Sequence, residues 1–484
     1  MKLHLRGLAR RILMAAFYST LGATLVLLIV FVLYLNSRAD LDIWHTADLD
    51  EEFTQESGVD SFEEYLDLEE RLFEQLDELV YDKIPPAQRT LINRYHRDSL
   101  SDPQRWEQNW NRSFELSSVS PRGAVLLLHG MSDSPYSLRK LGQRLHAEGF
   151  HVLGLRLPGH GTAPSGLLEV TWQDMAAATR LGMQHLADRH PGRPLYIMGY
   201  STGAALAVHY ALSVSEGESL PPVERIVLLS PAIGVSPVAA FAVWQARLGH
   251  LLGLDKLSWN DLLPEYDPFK YGSFAVNAGD VVYRLTNQIQ ERITALESEG
   301  KLDHFPQILA FSSIVDATVS APALVSGLFD RLPDNGHELV LFDVNRVEGL
   351  EPLMNRDPDE IIREIKQDAD RNFILSIVTN EAPNSQAVTV VSSDSQRELP
   401  AGSMPGMRWP DDIYSLAHVA LPFAYSDPLY GADESVSSPG IRLGDLAMRG
   451  ERGVLQISGV DMLRLRWNPF HGYVESRVLG FLGE

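Results

Sequence analysis

The sequence predicts an α/β protein: a mostly parallel sheet flanked by helices, carrying a helical insertion and preceded by one N-terminal membrane-spanning helix. Three observations predict it. From Arg112 onward, short apolar runs alternate with helical patterns. Residues 12–35 carry no charge. A Gly-x-Ser-x-Gly sequence stands where one apolar run passes into a helical one.

Composition agrees with a folded chain. The 484 residues are 45% hydrophobic and 22% charged, with 36 Gly, 28 Pro and no internal repeat, which is globular rather than disordered or fibrous. At roughly 150 residues per domain this length allows about three units, or one large α/β domain with appendages. The absence of cysteine excludes a disulfide framework, Cys-ligated zinc or iron–sulfur, a Cys nucleophile and a Cys-linked lipid. The net charge of −23 is unevenly spread: residues 1–36 hold Lys2, Arg6, Arg10 and Arg11 and no acid, whereas residues 37–84 hold 17 acids against Arg38, Arg71 and Lys83. Such an acidic chain repels phosphate backbones, so nucleic acid is not an expected partner.

The first element, Ile12 to Leu35, is 24 residues without a charge; as a helix it spans about 36 Å, against a bilayer core of about 30 Å. A cleaved signal peptide has a shorter apolar region, about 7 to 15 residues, and a small-residue cleavage site, which Leu33-Tyr34-Leu35-Asn36 does not offer. An uncleaved anchor is therefore expected. The positive-inside rule places residues 1–11 in the cytoplasm and everything after Asn36 across the membrane, periplasmic in a bacterium. Residues 36–111 follow as an acidic helical stalk in which Tyr65, Leu68, Leu72, Leu76 and Leu79 form one apolar stripe, ended by Pro85-Pro86. The stripe predicts a helix docked on the body, with a partner-binding helix as the alternative. The stalk's charge predicts that it holds the body off an anionic lipid surface.

Residues 112–484 form the predicted α/β domain. Strands are expected at 124–128, 152–155, 195–198, 225–229, 307–311 and 338–342, the nearly continuous apolar runs of a buried parallel sheet. Helices fill 136–148, 172–189 and 202–212. Residues 231–305 are read as a helical cap insertion containing Phe241, Trp244, Leu248, Leu251 and Leu252. Residues 346–412 are read as a second insertion: a helix around 358–373, the apolar pair ILSIV and AVTVV, and a Pro/Gly-rich loop at 400–410.

The chemistry concentrates at Gly199-Tyr200-Ser201-Thr202-Gly203. A strand-to-helix turn there forms a nucleophile elbow, with Gly199 and Gly203 leaving room where the two backbones approach. A serine hydroxyl needs a base, an orienting carboxylate and donors for an oxyanion. The donors are expected from the backbone N–H of Thr202, at a helix N-terminus, and of Met131, in the His129-Gly130-Met131 loop after the first strand. Asp316, just beyond the strand ILAF, is the expected acid, with Asp343 as its rival; His418 is the expected base, with His471 as competitor and His337 placed too early. His129 is expected to shape its loop by hydrogen bonding. No HExxH or phosphate-binding glycine loop occurs, so neither metal nor cofactor is expected.

The His129-Gly130-Met131 loop, the Arg156-Leu-Pro-Gly159-His160-Gly161-Thr162 segment, the GYSTG elbow and the order Ser, Asp, His resemble α/β-hydrolases of the monoglyceride lipase, lysophospholipase and serine aminopeptidase group. The resemblance covers roughly residues 112–430. It implies an α/β-hydrolase fold with a helical cap, and ester hydrolysis through an acyl-serine on Ser201. Thr202 and Ala204 depart from the Met or Leu and the second Gly frequent in that group, and 102 residues separate Asp316 from His418, a longer interval than usual. Because the base must be neutral, activity is expected to fall below about pH 6 to 7. The cap and tether point to lipid-derived esters such as monoacylglycerols or lysophospholipids. The alternatives are an amidase or aminopeptidase, which would need a carboxylate such as Glu265, Asp267 or Asp280 for the substrate amine, and a silent interaction module on the same fold.

Overall fold

A computed structural model describes residues 2–234, 254–349, 351–366, 371–394, 402–444, 446 and 457–483. Helix α1 (Lys2–Ser37) contains one stretch, Leu13–Ser37, long and apolar enough to cross a membrane, and its apolar side chains are exposed. Helix α2 (Ile43–Thr46) and helix α3 (Phe62–Leu79) follow. Ser61 caps α3 by accepting the N–H of Glu64, and the stripe Tyr65, Leu68, Leu72 and Leu76 is buried against the rest of the chain.

The acidic segment is laid along the body, and nothing separates the end of α1 from it. The Arg38 guanidinium donates to the carbonyls of Trp259 (2.7 Å) and Asn260 (3.0 Å), and Lys256 reaches back to Asp40 (2.7 Å). His45 meets the Ser273 hydroxyl at 2.9 Å and packs edge-on against Trp259. The segment is docked on the body from its first residues, as its apolar stripe predicts, because that stripe and these polar contacts are satisfied only on the body.

Among the described residues, ten strands form the main sheet: β1 (Phe114–Leu116), β2 (Ala124–Leu128), β3 (His151–Leu155), β4 (Leu195–Tyr200), β5 (Arg225–Leu229), β8 (Gln307–Ser313), β9 (His337–Phe342), β10 (Phe373–Asn380), β11 (Ala387–Ser393) and β12 (Gly402–Arg408). Two short strands, β6 (Trp259–Asp261) and β7 (Phe274–Ala275), make a separate hairpin. The spatial order is β1-β3-β2-β4-β5-β8-β9-β10-β11-β12. The strands from β3 to β10 in that order pair parallel, with antiparallel pairing at both edges. Strand order reverses between β2 and β4, the switch point at whose carboxyl edge α/β proteins place their ligands.

Helices α4 (Arg139–Ala147), α5 (Trp172–Arg189), α6 (Thr202–Ser215), α7 (Val276–Ser298), α8 (Ala321–Gly327), α9 (Pro358–Lys366), α10 (Gly459–Met462) and α11 (His471–Gly483) are the further α-helices among the described residues. One face of the sheet packs on α5, α6, α7 and α3; the other packs on α4, α11 and the segment around Trp409. Three expectations change. The helix expected from residue 136 begins as a 3-10 turn, Pro135–Leu138, before α4. Of the helix expected around 358–373, Pro358–Lys366 is helical among the described residues, and Phe373 instead opens β10, whose apolar side chains extend the core. The Pro/Gly-rich stretch forms edge strand β12, where Pro405 is tolerated because an edge strand leaves one row of groups unpaired. The second insertion thus extends the main sheet. Of the cap, the hairpin and the 23-residue α7 are described, whereas Phe241, Trp244, Leu248, Leu251 and Leu252 lie outside the described residues.

Burial sets a pH dependence. It holds His45, His160, His337 and His471 down at about 4 and His209 at about 3. Below pH 6.5 the unfolded chain takes up protons that these folded imidazoles refuse, so stability is lost as pH falls, by up to about 1.4 kcal/mol per pH unit for each. Asp133 and Glu265, pushed up to about 7 by burial, act in the opposite direction but are fewer. The urea midpoint of the full chain in detergent is expected to drop between pH 7.5 and 5.5; an equal or higher midpoint at pH 5.5 contradicts this balance.

Candidate active site

Strand β4 delivers its last residue, Tyr200, to the carboxyl edge of the sheet, and the chain turns into α6 within one residue. Ser201 makes that turn at φ 54° and ψ −113°, a conformation that costs a non-glycine residue of order 1–3 kcal/mol. The surroundings hold it there: its N–H donates to Leu229 O (2.9 Å), and its carbonyl accepts the N–H groups of Ala204 and Ala232 (3.1 Å each). The two elbow glycines are required by contact. A Cβ on Gly199 would stand 2.4 Å from Gly203 O, and one on Gly203 would stand 2.1 Å from Leu128 O. Both obstacles are backbone, which cannot swing aside.

His418 opens a 3-10 turn, His418–Ala420, in the loops after β12. Its Nδ1 lies 2.7 Å from Asp316 Oδ2 and its Nε2 lies 3.2 Å from Ser201 Oγ. Asp316 stands in the loop after β8, where its other oxygen accepts the N–H groups of Thr318 (2.8 Å) and Val319 (3.0 Å). Burial pushes the Asp316 carboxyl up, but the hydrogen bond and charge of His418 and the two backbone N–H groups outweigh it and hold its pKa below the ordinary value. An ionised Asp316 accepts the Nδ1 proton, which leaves Nε2 free to accept the proton of Ser201.

The backbone N–H groups of Met131 and Thr202 have no acceptor among the described residues, and both residues line the same cavity as Ser201. Thr202 is the first residue of the 14-residue α6, where free amides favour negative charge. Met131 sits in the loop after β2, which His129 braces: its Nδ1 donates to Gly130 O (2.9 Å) and its Nε2 accepts Leu157 N–H (3.0 Å).

The rival residues are engaged elsewhere. Asp343 accepts from the Arg346 guanidinium (2.8 Å) and the Thr379 hydroxyl (2.7 Å). His337 begins β9, at the opposite edge of the sheet, and accepts Ile308 N–H. His471 begins α11, with Glu475 3.8 Å away. Of the carboxylates considered for an amine, Glu265 is buried on the N–H groups of Gly272 and Ser273, and Asp280 pairs with Arg284. Asp267 does reach the cavity.

The cavity has a volume of about 770 Å³ and combines apolar wall, including Phe274, Val282 and Phe423, with Lys270, Arg464 and Arg466. Sequence reasoning missed these three cations. The Arg464-x-Arg466 spacing, which puts both side chains on one side of an extended segment, is the signal that could have found two of them. Among the described residues, no group of three or more His, Asp and Glu side chains could hold a metal ion.

Residues 119–343 match the family model described as serine aminopeptidase, S33. The thermostable monoacylglycerol lipase of Bacillus sp. (strain H-257) is 30% identical over 116 residues, which are 24% of this chain and 43% of that protein. The monoacylglycerol lipase of Mycolicibacterium smegmatis is 31% identical over 129 residues, 25% of this chain and again 43% of the relative. The chain therefore spans less than half the length of the curated relatives it matches. Among solved structures, the monoacylglycerol lipase of Paleococcus ferrophilus is 20% identical with a TM-score of 0.37, covering 48% of this chain and 88% of that one.

Proposed function

We propose that this chain, an α/β-hydrolase of the monoglyceride lipase and serine aminopeptidase group, is a membrane-anchored serine hydrolase that cleaves lipid-derived carboxylic esters. The observation that carries the reading is the hydrogen-bonded chain from Asp316 through His418 to Ser201, opening into a cavity beside two free amides. Ser201 Oγ attacks the ester carbonyl while His418 Nε2 takes its proton. The Met131 and Thr202 N–H groups stabilise the oxyanion, at about 2.7 to 4 kcal/mol for each donor. His418 then returns the proton to the leaving alcohol, and water releases the acyl group by the same route, with Asp316 holding the imidazolium throughout.

The lipid preference rests on where the apolar helix ends. Arg38, one residue past α1, binds the β6–β7 hairpin, and Asp261 and Phe274 of that hairpin line the cavity. With α1 in a bilayer and residues 1–11 on the cytoplasmic side, the body lies on the far side with this wall near the lipid. The amide alternative is disfavoured because Asp267, the one of its three carboxylates at the cavity, is already held by the Tyr430 hydroxyl and the N–H groups of Phe269 and Lys270.

Two measurements test the reading on the full chain in detergent. A fluorophosphonate probe is expected to label Ser201, and its failure to label a protein that melts cooperatively rejects the serine hydrolase. Across p-nitrophenyl esters, kcat/KM is expected to rise from acetyl to acyl chains of eight or more carbons. An acetyl preference rejects the lipid substrate and leaves the esterase standing.

A further inference from the structure

Among the described residues, the cavity's cations form no ion pair. Lys270 comes from the loop joining β6 to β7, and Arg464 and Arg466 come from the segment after α10. Among the described residues, no carboxylate lies within ion-pair distance of any of the three. Among the described residues, the Arg466 guanidinium has one side-chain hydrogen bond, to the Tyr266 hydroxyl at 3.1 Å, and the ends of Lys270 and Arg464 have none. Three other arginines that are mostly removed from water are paired, Arg139 with Asp427, Arg156 with Glu52 and Glu69, and Arg292 with Glu216, whereas Arg94, 1% exposed, has no ion pair among the described residues.

All three line one cavity, and Lys270 stands within electrostatic reach of both arginines. Burial lowers the Lys270 pKa first, and Arg464 and Arg466 lower it further, against the opposing pull of Asp133 and Asp267. Those two carboxylates offset the three cations only in part: Asp267 also holds the Tyr430 hydroxyl and the N–H groups of Phe269 and Lys270, and burial pushes Asp133 up to about 7. The other acids on the wall are exposed, Asp261 on the hairpin and Asp461 bonded to the Ser458 hydroxyl at the start of α10. Like charges gathered at a partly desolvated wall are unfavourable until an anion enters, and guanidinium forks suit the paired oxygens of a carboxylate or phosphate.

We propose that Lys270, Arg464 and Arg466 form a subsite for a negatively charged group, a carboxylate or phosphate, on the ester substrate. This rests on the esterase reading and adds the charge class of its substrate. The anion can lie on either side of the scissile bond: on the acyl side it makes the substrate a half-ester of a dicarboxylic acid, and on the alcohol side a phosphorylated acylglycerol.

The test compares matched esters on the full chain in detergent: ethyl hexanoate with monoethyl adipate, and 1-acylglycerol with 1-acylglycerol 3-phosphate. Each pair gives a ratio of kcat/KM, anionic over neutral. In the wild type this ratio is expected to exceed one for one pair, which identifies the side carrying the anion. In Arg464→Gln/Arg466→Gln it is expected to fall at least tenfold, mainly through KM, and added salt should lower the wild-type ratio. Arg464→Gln alone, at an exposed position, is expected to move the ratio in the same direction without threatening the fold. Ratios identical in the wild type and both variants, with neutral esters still cleaved, overturn the subsite alone. A wild type that cleaves no ester and is not labelled at Ser201 overturns the esterase reading and the subsite together.

Discussion

Ser201→Ala is expected to lower kcat/KM for a p-nitrophenyl ester by roughly ten-thousand-fold or more and to abolish fluorophosphonate labelling. The loss is large because nucleophilic attack and proton transfer both act through one oxygen, 3.2 Å from His418 Nε2, without which no tetrahedral oxyanion forms. His418→Ala is expected to cost about as much, and the double variant little more than either, since the groups act as a unit. Asp316→Asn is the most diagnostic of the set. Its amide N–H₂ can donate to His418 Nδ1 where the carboxylate accepts, which protonates Nε2 and removes the base, for a loss of roughly ten-thousand-fold. The backbone N–H groups of Thr318 and Val319 keep an acceptor in the asparagine, so the variant should melt near the wild type. His418→Ala activity within tenfold of wild type would remove His418 as the base.

How this constellation could be read from sequence follows from what encodes each part. The elbow is legible because a strand-to-helix turn with a backbone carbonyl 2.1 Å from a would-be Cβ admits only glycine at 203, and glycines at fixed spacing are visible in one dimension. The positions of Asp316 and His418 are legible because chain order and the ends of apolar strands bring them to one edge of a parallel sheet. What stayed hidden depends on contacts far apart in the chain. Nothing local says that β12, with its proline, pairs to the sheet edge. Nor does the sequence say that Arg38 bonds to Trp259, 221 residues away. The stalk's apolar stripe says that it docks, but composition counts its acids without showing which are paired. Glu52 and Glu69 are paired, inside the protein.

That pairing makes Arg156→Met the substitution with the largest expected effect on stability, a loss of about 3–5 kcal/mol. The guanidinium, 1% exposed in its side chain, binds Glu52 with both terminal nitrogens (2.9 and 3.0 Å) and Glu69 through Nε (3.1 Å), and also donates to His160 O (3.0 Å). Methionine can fill the volume but leaves two carboxylates facing each other where water reaches poorly. Glu69 keeps the Ser113 hydroxyl and N–H as donors, whereas Glu52, 16% exposed, turns toward solvent and carries its loop with it. Arg156 belongs to the segment after β3, while both glutamates belong to the acidic segment, so the first consequence should be loosening of residues 38–111. Protease nicking there is expected to precede global unfolding. Restoring neutrality separates charge from packing: Arg156→Met/Glu52→Gln/Glu69→Gln is expected to recover most of the loss, because no ion is then left without a partner. Urea titration of the full chain in detergent measures both, and a triple variant no more stable than Arg156→Met would assign the effect to packing instead of charge.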